Sequence, residues 1–247
     1  MSLEKYVDYL VSFLKDYARP FNGYILGVSG GLDSAVVAKI AKKAVGHKLF
    51  CLVIDIESDP KDISDARVYL EEEKIPFACV DLSKTYQELV KTYEAQTKQN
   101  LTELSKSNVK VRLRMVTLYA LGQSMNKLVL GTDNLSENYT GYFTKWGDGA
   151  FDIHTLIHLT KREVKEVARI LGVPHHFIIK RPSAGLFKDQ DDEKELGVTY
   201  EHLDNFLLGQ DIPLASKERI AYLHRVSKHK RVPIPQPKPY IRKSDEK

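Results

Sequence analysis

The hexapeptide Ser29-Gly30-Gly31-Leu32-Asp33-Ser34 gathers two hydroxyls, two adjacent glycines and a carboxylate. Tyr24-Ile25-Leu26-Gly27-Val28 before it is apolar, and Ala35-Val36-Val37-Ala38-Lys39-Ile40 after it keeps a helical apolar period. A strand, a tight loop and a helix start in that order make a phosphate cradle. The glycines let successive N–H groups converge on an anion, and the helix dipole favours its negative charge. Asp33 stands where a divalent cation bound to phosphates needs a carboxylate. The string is not the Walker loop, which requires a Lys after its second Gly. A plainer reading has Ser29 or Ser34 capping a helix and the glycines turning the chain, but it leaves the six-residue string in this context unexplained.

A second polar, glycine-rich stretch follows the apolar run Lys127 to Leu130: Gly131-Thr132-Asp133-Asn134-Leu135-Ser136-Glu137, then Gly141-Tyr142-Phe143-Thr144-Lys145-Trp146-Gly147-Asp148-Gly149. Open α/β sheets bind ligands in loops of this kind, at the C-terminal ends of strands. Both loops are therefore expected at one site.

The surrounding periodicities supply the elements that must hold them. Apolar runs at 24–28, 49–54, 76–80 and 127–130 alternate with helical patterns at about 33–45, after Pro60, and at about 84–96 and 108–125. This predicts an α/β fold, a doubly wound, mostly parallel sheet with helices on both faces. An amphipathic helix precedes the first strand and stops before Pro20; further helices begin at Thr160, Tyr200 and Ser216. Gly172 and Pro174 end the first of these. In the helix from Asn108, Arg112 and Arg114 lie about 200° apart at 3.6 residues per turn, so they cannot address one ligand together. One is expected to serve the site and the other the fold. The acid-rich stretch Pro182 to Gly197 reads as mobile.

The chain has 247 residues, a net charge of +4 and two cysteines. That length and the absence of a repeat predict one domain, residues 1–247. The mild positive charge suits polyanionic small molecules and falls short of a nucleic-acid-binding signature. Cys51 and Cys79 sit in apolar runs and are expected to be buried thiols of a reducing compartment. No apolar stretch is of membrane-spanning length and the N-terminus is unlike a targeting peptide, so a cytoplasmic location without membrane contact is expected.

The SGGLDS string resembles the loop of the ATP-pyrophosphatase superfamily, which splits ATP into AMP and pyrophosphate. With Asn108 to Met115, the GTDNLSE and GYFTKWGDG strings, Pro182-Ser183-Ala184 and Asp192 to Gly197, the chain resembles an NAD synthetase from the phosphate loop to His229-Lys230. The resemblance points to the ammonia-dependent form, because the glutamine-dependent enzymes carry an additional amidase domain. It implies the Rossmann-like fold of adenine nucleotide alpha hydrolases. It also implies amidation of deamido-NAD with ATP and free ammonia, through an acyl-adenylate, in a homodimer whose two subunits share the dinucleotide site. The alternative is a tRNA-modifying member of the same superfamily.

Residue by residue, the resemblance implies that Gly27, Val28, Ser29, Gly30, Gly31, Leu32, Asp33 and Ser34 hold ATP. Thr132, Lys161 and Ser183 join them. The family more often has Thr at the position of Ser183, and the hydroxyl is kept. Asp33 and Glu137 would bind Mg²⁺. Arg112, Lys145, Asp152, His229 and Lys230 match positions that bind deamido-NAD. Lys161 falls in the first turn of a helix, where a cation opposes the dipole, so a phosphate partner is expected there. Asp33, Lys161 and Asp152 are the candidate catalytic residues, Asp152 as acceptor of the ammonia proton.

Overall fold

A computed structural model describes residues 1–182 and 191–240 of the chain. Helix α1 (Leu3–Tyr17) opens at Ser2, whose hydroxyl accepts the Lys5 N–H (3.5 Å). Strand β1 (Tyr24–Gly27) leads through the glycine loop into α2 (Leu32–Val45), and β2 (Leu49–Asp55), α3 (Pro60–Glu72) and β3 (Phe77–Asp81) follow. Two helices, α4 (Ser83–Thr97) and α5 (Glu103–Met125), precede β4 (Leu128–Gly131). Then come α6 (Leu135–Thr140), the short β5 (Ile153–His154), α7 (Lys161–Leu171) and α8 (His175–Ile179). The chain ends in α9 (Asp192–Leu196), α10 (Tyr200–Leu207) and α11 (Leu214–Val226).

The five strands pair in parallel in the order β3-β2-β1-β4-β5. Tyr24 of β1 lies beside Leu49 on one side and Leu128 on the other. Strand side chains alternate between faces, and the two faces are covered by different helices. Tyr24, Leu26, Leu49, Cys51 and Val53 pack with α1, α2, α3, α7 and α8. Ile25, Leu52, Ile54 and Val129 face the other way, toward α4 and α5. Two buried tyrosine hydroxyls are paired: Tyr24 donates to Leu14 O (2.6 Å) and Tyr69 to Ala35 O (2.9 Å). Leu196, Val198, Tyr200, Leu203 and Ile220 form a separate small core that joins α9, α10 and α11 and packs on Tyr139 and Tyr142.

The doubly wound parallel sheet agrees with the sequence reading, and three local features depart from it. Cys51 is buried but Cys79 is exposed, because β3 is an edge strand and its outer side meets solvent. The loop expected from Gly131 contains helix α6, closed at its start by a capping box in which Asn134 and Glu137 exchange side-chain and backbone hydrogen bonds. Within the stretch read as mobile, residues 192–196 are helical and Asp192 is buried; Ser183 and its neighbours to 190 lie outside the described residues.

Candidate active site

The strand order reverses between β1 and β4: the chain leaves β1 toward β2 and returns to β4 on the opposite side. Open sheets of this kind have a crevice at that point, outside the carboxyl ends of the strands. Here it is a cleft of about 1320 Å³, its mouth included, lined by Val28, Ser29, Gly31 to Ser34, Thr132, Glu137 and Lys161. A second cavity of about 700 Å³ runs beside it under α5. Gly27, Leu52, Met115, Leu118 and Val129 give that cavity an apolar wall, and Val28, Ser29, Arg114 and Thr132 belong to both spaces. A polar compartment beside an apolar slot matches the two chemistries of a nucleotide, phosphates and a base.

The phosphate loop is held by its own serines. Ser34 donates its hydroxyl to Gly31 O (3.0 Å) and accepts the Ser29 N–H (3.2 Å), while the Ser29 hydroxyl accepts the Gly31 N–H (3.3 Å). Gly31 is the N-cap of α2 and has no side chain to cap the first-turn N–H groups, which leaves that helix end to an anion. Gly30 has φ +79°, and a Cβ there would run into the Asp62 carbonyl. Lys180 secures the same bend by donating to Gly30 O (2.8 Å) while paired with Asp62.

Lys161 is the first residue of α7 and is almost wholly buried. Its ammonium pairs with Asp33 Oδ2 and with Glu137 Oε1 (3.1 Å), and the Tyr200 ring lies 5.4 Å from it. Burial opposes its charge, but Asp33 and then Glu137 outweigh burial and raise its pKa. Asn134 Nδ2 fixes Asp33 from the other side, donating to Oδ1 (3.0 Å). The two loops are thus joined at one point through a lysine that sequence reading had assigned to phosphate alone.

Negative charge exceeds positive charge around that point. Burial, and next the neighbouring Asp148, push the Asp133 carboxyl well above the usual carboxylate range. Asp133 Oδ2 is buried without a hydrogen-bond partner among the described residues. Burial also raises Asp148, which accepts the Thr144 N–H (2.6 Å), and lifts Glu137 to about 7. An orphaned carboxylate oxygen, and two carboxylates converging on one nitrogen, fit a hard divalent cation that takes its remaining ligands from water and phosphate.

Arg112, Lys145, His229 and Lys230 are linked to one another outside the cleft lining, with Lys230 within electrostatic reach of Asp148 and Asp133. Arg112 Nη2 donates to Lys145 O (3.2 Å), Lys145 Nζ to His229 O (2.8 Å), and Lys230 Nζ to Gly141 O (2.7 Å) and Phe143 O (2.5 Å). Asp152 is exposed and outside the cleft lining: its Oδ2 accepts the Val129 N–H (2.8 Å) and its Oδ1 the Tyr119 hydroxyl (3.4 Å). Of the two arginines of which the sequence expects one at the site, Arg114 lines the cleft and Arg112 does not; Asp133, Asp148, Lys180 and Tyr200 are cleft or cleft-side residues that the sequence reading does not single out. Asp133 and Asp148 lie within the GTDNLSE and GYFTKWGDG strings, whereas Lys180 and Tyr200 have no local signal.

The chain matches the NAD synthase family over residues 6–234. It is also 44% identical over 245 residues to the NH(3)-dependent NAD(+) synthetase of Mesoplasma florum, covering 98% of this chain and 100% of that one. The chain belongs to the NAD synthase family. NAD synthetases are ligases that form a C–N bond and use ATP. The same enzyme of Finegoldia magna is 42% identical, with 94% of this chain and 95% of that one covered. Among solved structures, an NMN synthetase from Francisella tularensis superimposes with a TM-score of 0.90 at 38% identity, over 96% of this chain and 99% of that one. An NH3-dependent NAD synthetase from Campylobacter jejuni gives 0.77 at 25% identity, over 96% and 100%. These matches favour an NAD synthetase over the tRNA-modifying alternative. No helix among the described residues is long and apolar enough to cross a membrane.

Proposed function

We propose that this chain amidates deamido-NAD with free ammonia and ATP, giving NAD, AMP and pyrophosphate. The observation that carries the reading is the buried Lys161 ammonium between Asp33 of the phosphate loop and Glu137 of the second loop. In the first step the nicotinate carboxylate, ionised at neutral pH, attacks the α-phosphate and pyrophosphate leaves. The obstacle is bringing one anion to another, and the α2 N-terminus with Lys161 answers it by stabilising charge where it builds. Asp33 and Glu137 would hold a Mg²⁺, which would supply further charge neutralisation there. Gly27 to Ser34, Thr132 and Ser183 complete the ATP contacts. In the second step ammonia attacks the acyl carbon, the bond to the AMP phosphate breaks and AMP leaves, and the attacking nitrogen gives up one proton to water.

Arg112, Lys145, Asp152, His229 and Lys230 form the dinucleotide site, completed by a second copy of the chain. Residues 1–247 act as one catalytic unit. Two free thiols and the absence of a spanning helix among the described residues support a cytoplasmic setting.

The resemblance to an NMN synthetase with a TM-score of 0.90 favours a second reading, in which the acid is nicotinate mononucleotide. One experiment tests both. Given ATP, Mg²⁺ and either acid without ammonia, the protein should release about one pyrophosphate per site and then stall, because a closed site excludes water. Ammonium should discharge the intermediate to AMP and the amide, faster as pH rises, since the unprotonated amine is the nucleophile. The acid with the larger kcat/KM names the substrate. Release of ADP and inorganic phosphate with both acids overturns the proposal.

A further inference from the structure

Lys161 reaches the cleft from the first turn of α7, and the groups that fix this turn lie outside the cleft. The Lys161 N–H donates to Ser136 Oγ (3.2 Å) and the Arg162 N–H to Asp204 Oδ2 (2.7 Å). Ser136 in turn donates its hydroxyl to Asp204 Oδ1 (2.6 Å). The third N–H of the turn, on Glu163, goes to the Thr160 hydroxyl (3.4 Å). Asp204, on α10, is 2% exposed, and both of its oxygens are engaged. A buried carboxylate against a helix N-terminus is well placed, since the dipole and the N–H donors both stabilise its charge.

Ser136 immediately precedes Glu137 on α6. A single side chain from α10 therefore fastens the backbone of α7 at Lys161 and Arg162 and the segment of α6 that carries Glu137. These are the two elements whose side chains must meet Asp33. The Arg162 guanidinium reinforces the junction by donating to Asn205, the next residue of α10.

We infer that Asp204 is a positioning residue, which sets Lys161 against Glu137 through the first turn of α7 and Ser136. The kinetic part of this inference rests on the function proposed above. Misplacement of about 1 Å in such a constellation costs on the order of a hundredfold in rate. An alanine removes both acceptors; an asparagine keeps the shape and, with its oxygen toward the Arg162 N–H, that hydrogen bond, and loses the charge and the acceptor of the Ser136 hydroxyl.

The test measures Asp204→Ala, Asp204→Asn and Ser136→Ala. One readout is pyrophosphate release. The other, which needs no activity, is acetylation of Lys161 by a water-soluble acylating reagent, followed by mass spectrometry, with Lys39 of α2 as reference because its carboxylate partner, Glu73 at the end of α3, makes no hydrogen bond or ion pair to α10 among the described residues. For Asp204→Ala we expect kcat to fall about a hundredfold with KM for the acid within about twofold, and Lys161 to be acetylated at least tenfold faster while Lys39 is unchanged. Asp204→Asn, which keeps the Arg162 bond alone, should recover part of both losses, and Ser136→Ala should likewise fall between Asp204→Ala and the wild type.

Unchanged kcat and labelling in Asp204→Ala and Ser136→Ala overturn the inference. Equal acceleration at Lys39 overturns it too, because Asp204 would then support the fold as a whole. If the wild-type protein releases no pyrophosphate with either acid, the functional reading fails and the labelling still decides the positioning.

Discussion

Arg112 and Arg114 leave α5 on opposite sides: Nη2 of the first donates to Lys145 O (3.2 Å) and Nη2 of the second to Ser58 Oγ (3.1 Å). Arg114 lines both the phosphate cleft and the apolar slot, and no described carboxylate lies within ion-pair distance of it. Burial lowers its pKa, the mark of a desolvated cation that gains from an anion. Arg114→Ala should raise KM for ATP roughly tenfold or more, since a charge-assisted hydrogen bond contributes about 1.5–3 kcal/mol. Arg112→Ala should instead raise KM for the pyridine acid with ATP binding spared. Initial-rate kinetics with each substrate varied in turn checks both; an equal loss in both columns counts against the division.

Lys161→Met leaves two buried carboxylates facing each other without their cation. Removing one member of a buried ion pair costs roughly 3–5 kcal/mol, so the variant should melt well below the wild type in the absence of divalent ions. If Mg²⁺ takes Asp33 and Glu137 as proposed, millimolar Mg²⁺ should restore much of that loss. Pyrophosphate release should stay at least a hundredfold down in either case. Thermal melts with and without Mg²⁺ read the first effect and a burst assay the second.

His154 makes stability depend on pH. Its ring packs on Phe151, and Nε2 meets Asp133 O at 2.9 Å, so Nε2 must carry the proton. Burial lowers its pKa from 6.5 to about 4. Below pH 6.5 the unfolded chain takes up a proton that the folded chain refuses until about pH 4. Stability is therefore full above that interval and declines as pH falls through it, by roughly 3 kcal/mol at 1.36 kcal/mol per unit. His154→Gln keeps the donor and cannot titrate. Denaturant unfolding should show a shallower decline for the variant between pH 6.5 and pH 4; parallel curves would remove His154 as the cause.

Gly30→Ala should damage the phosphate loop more than a methyl group usually does. The residue has φ +79°, and the added carbon meets main chain at Asp62, which cannot rotate away. KM for ATP should rise about tenfold or more, with a stability loss of roughly 1–3 kcal/mol. Nucleotide titration and melting together check this.

The part of the site that lies on contiguous chain was legible in the sequence. Ser29 to Ser34 declares its chemistry because strand, turn and helix start follow one another locally, and Glu137 was found through the string around it. Helix α6 was missed although Asn134 and Glu137 have the spacing of a capping box, because the density of glycine and polar residues was read as loop. The partnership of Lys161 with Asp33 is not legible: its first-turn position argues for an anionic partner, and only the meeting of α7 with α2 and α6 supplies two. Asp204 looks like any polar residue of an amphipathic helix until α10 is docked. Cys79 was misjudged for a related reason, since an apolar run does not say whether its strand is central or at an edge.

The cleft's ties join residues very far apart in the chain. Asp33 and Lys161 are 128 positions apart, Asp62 and Lys180 118, and Asp33 and Asn134 101. Loops of that length close late in folding, after the local helices and neighbouring strands have formed. A chain still being synthesised therefore has the SGGLDS loop long before it has anything to set against it. Nucleotide affinity accordingly belongs to the finished molecule, and ATP should act on this protein as a folding ligand, slowing its unfolding and holding α7 to α2 in proportion to occupancy.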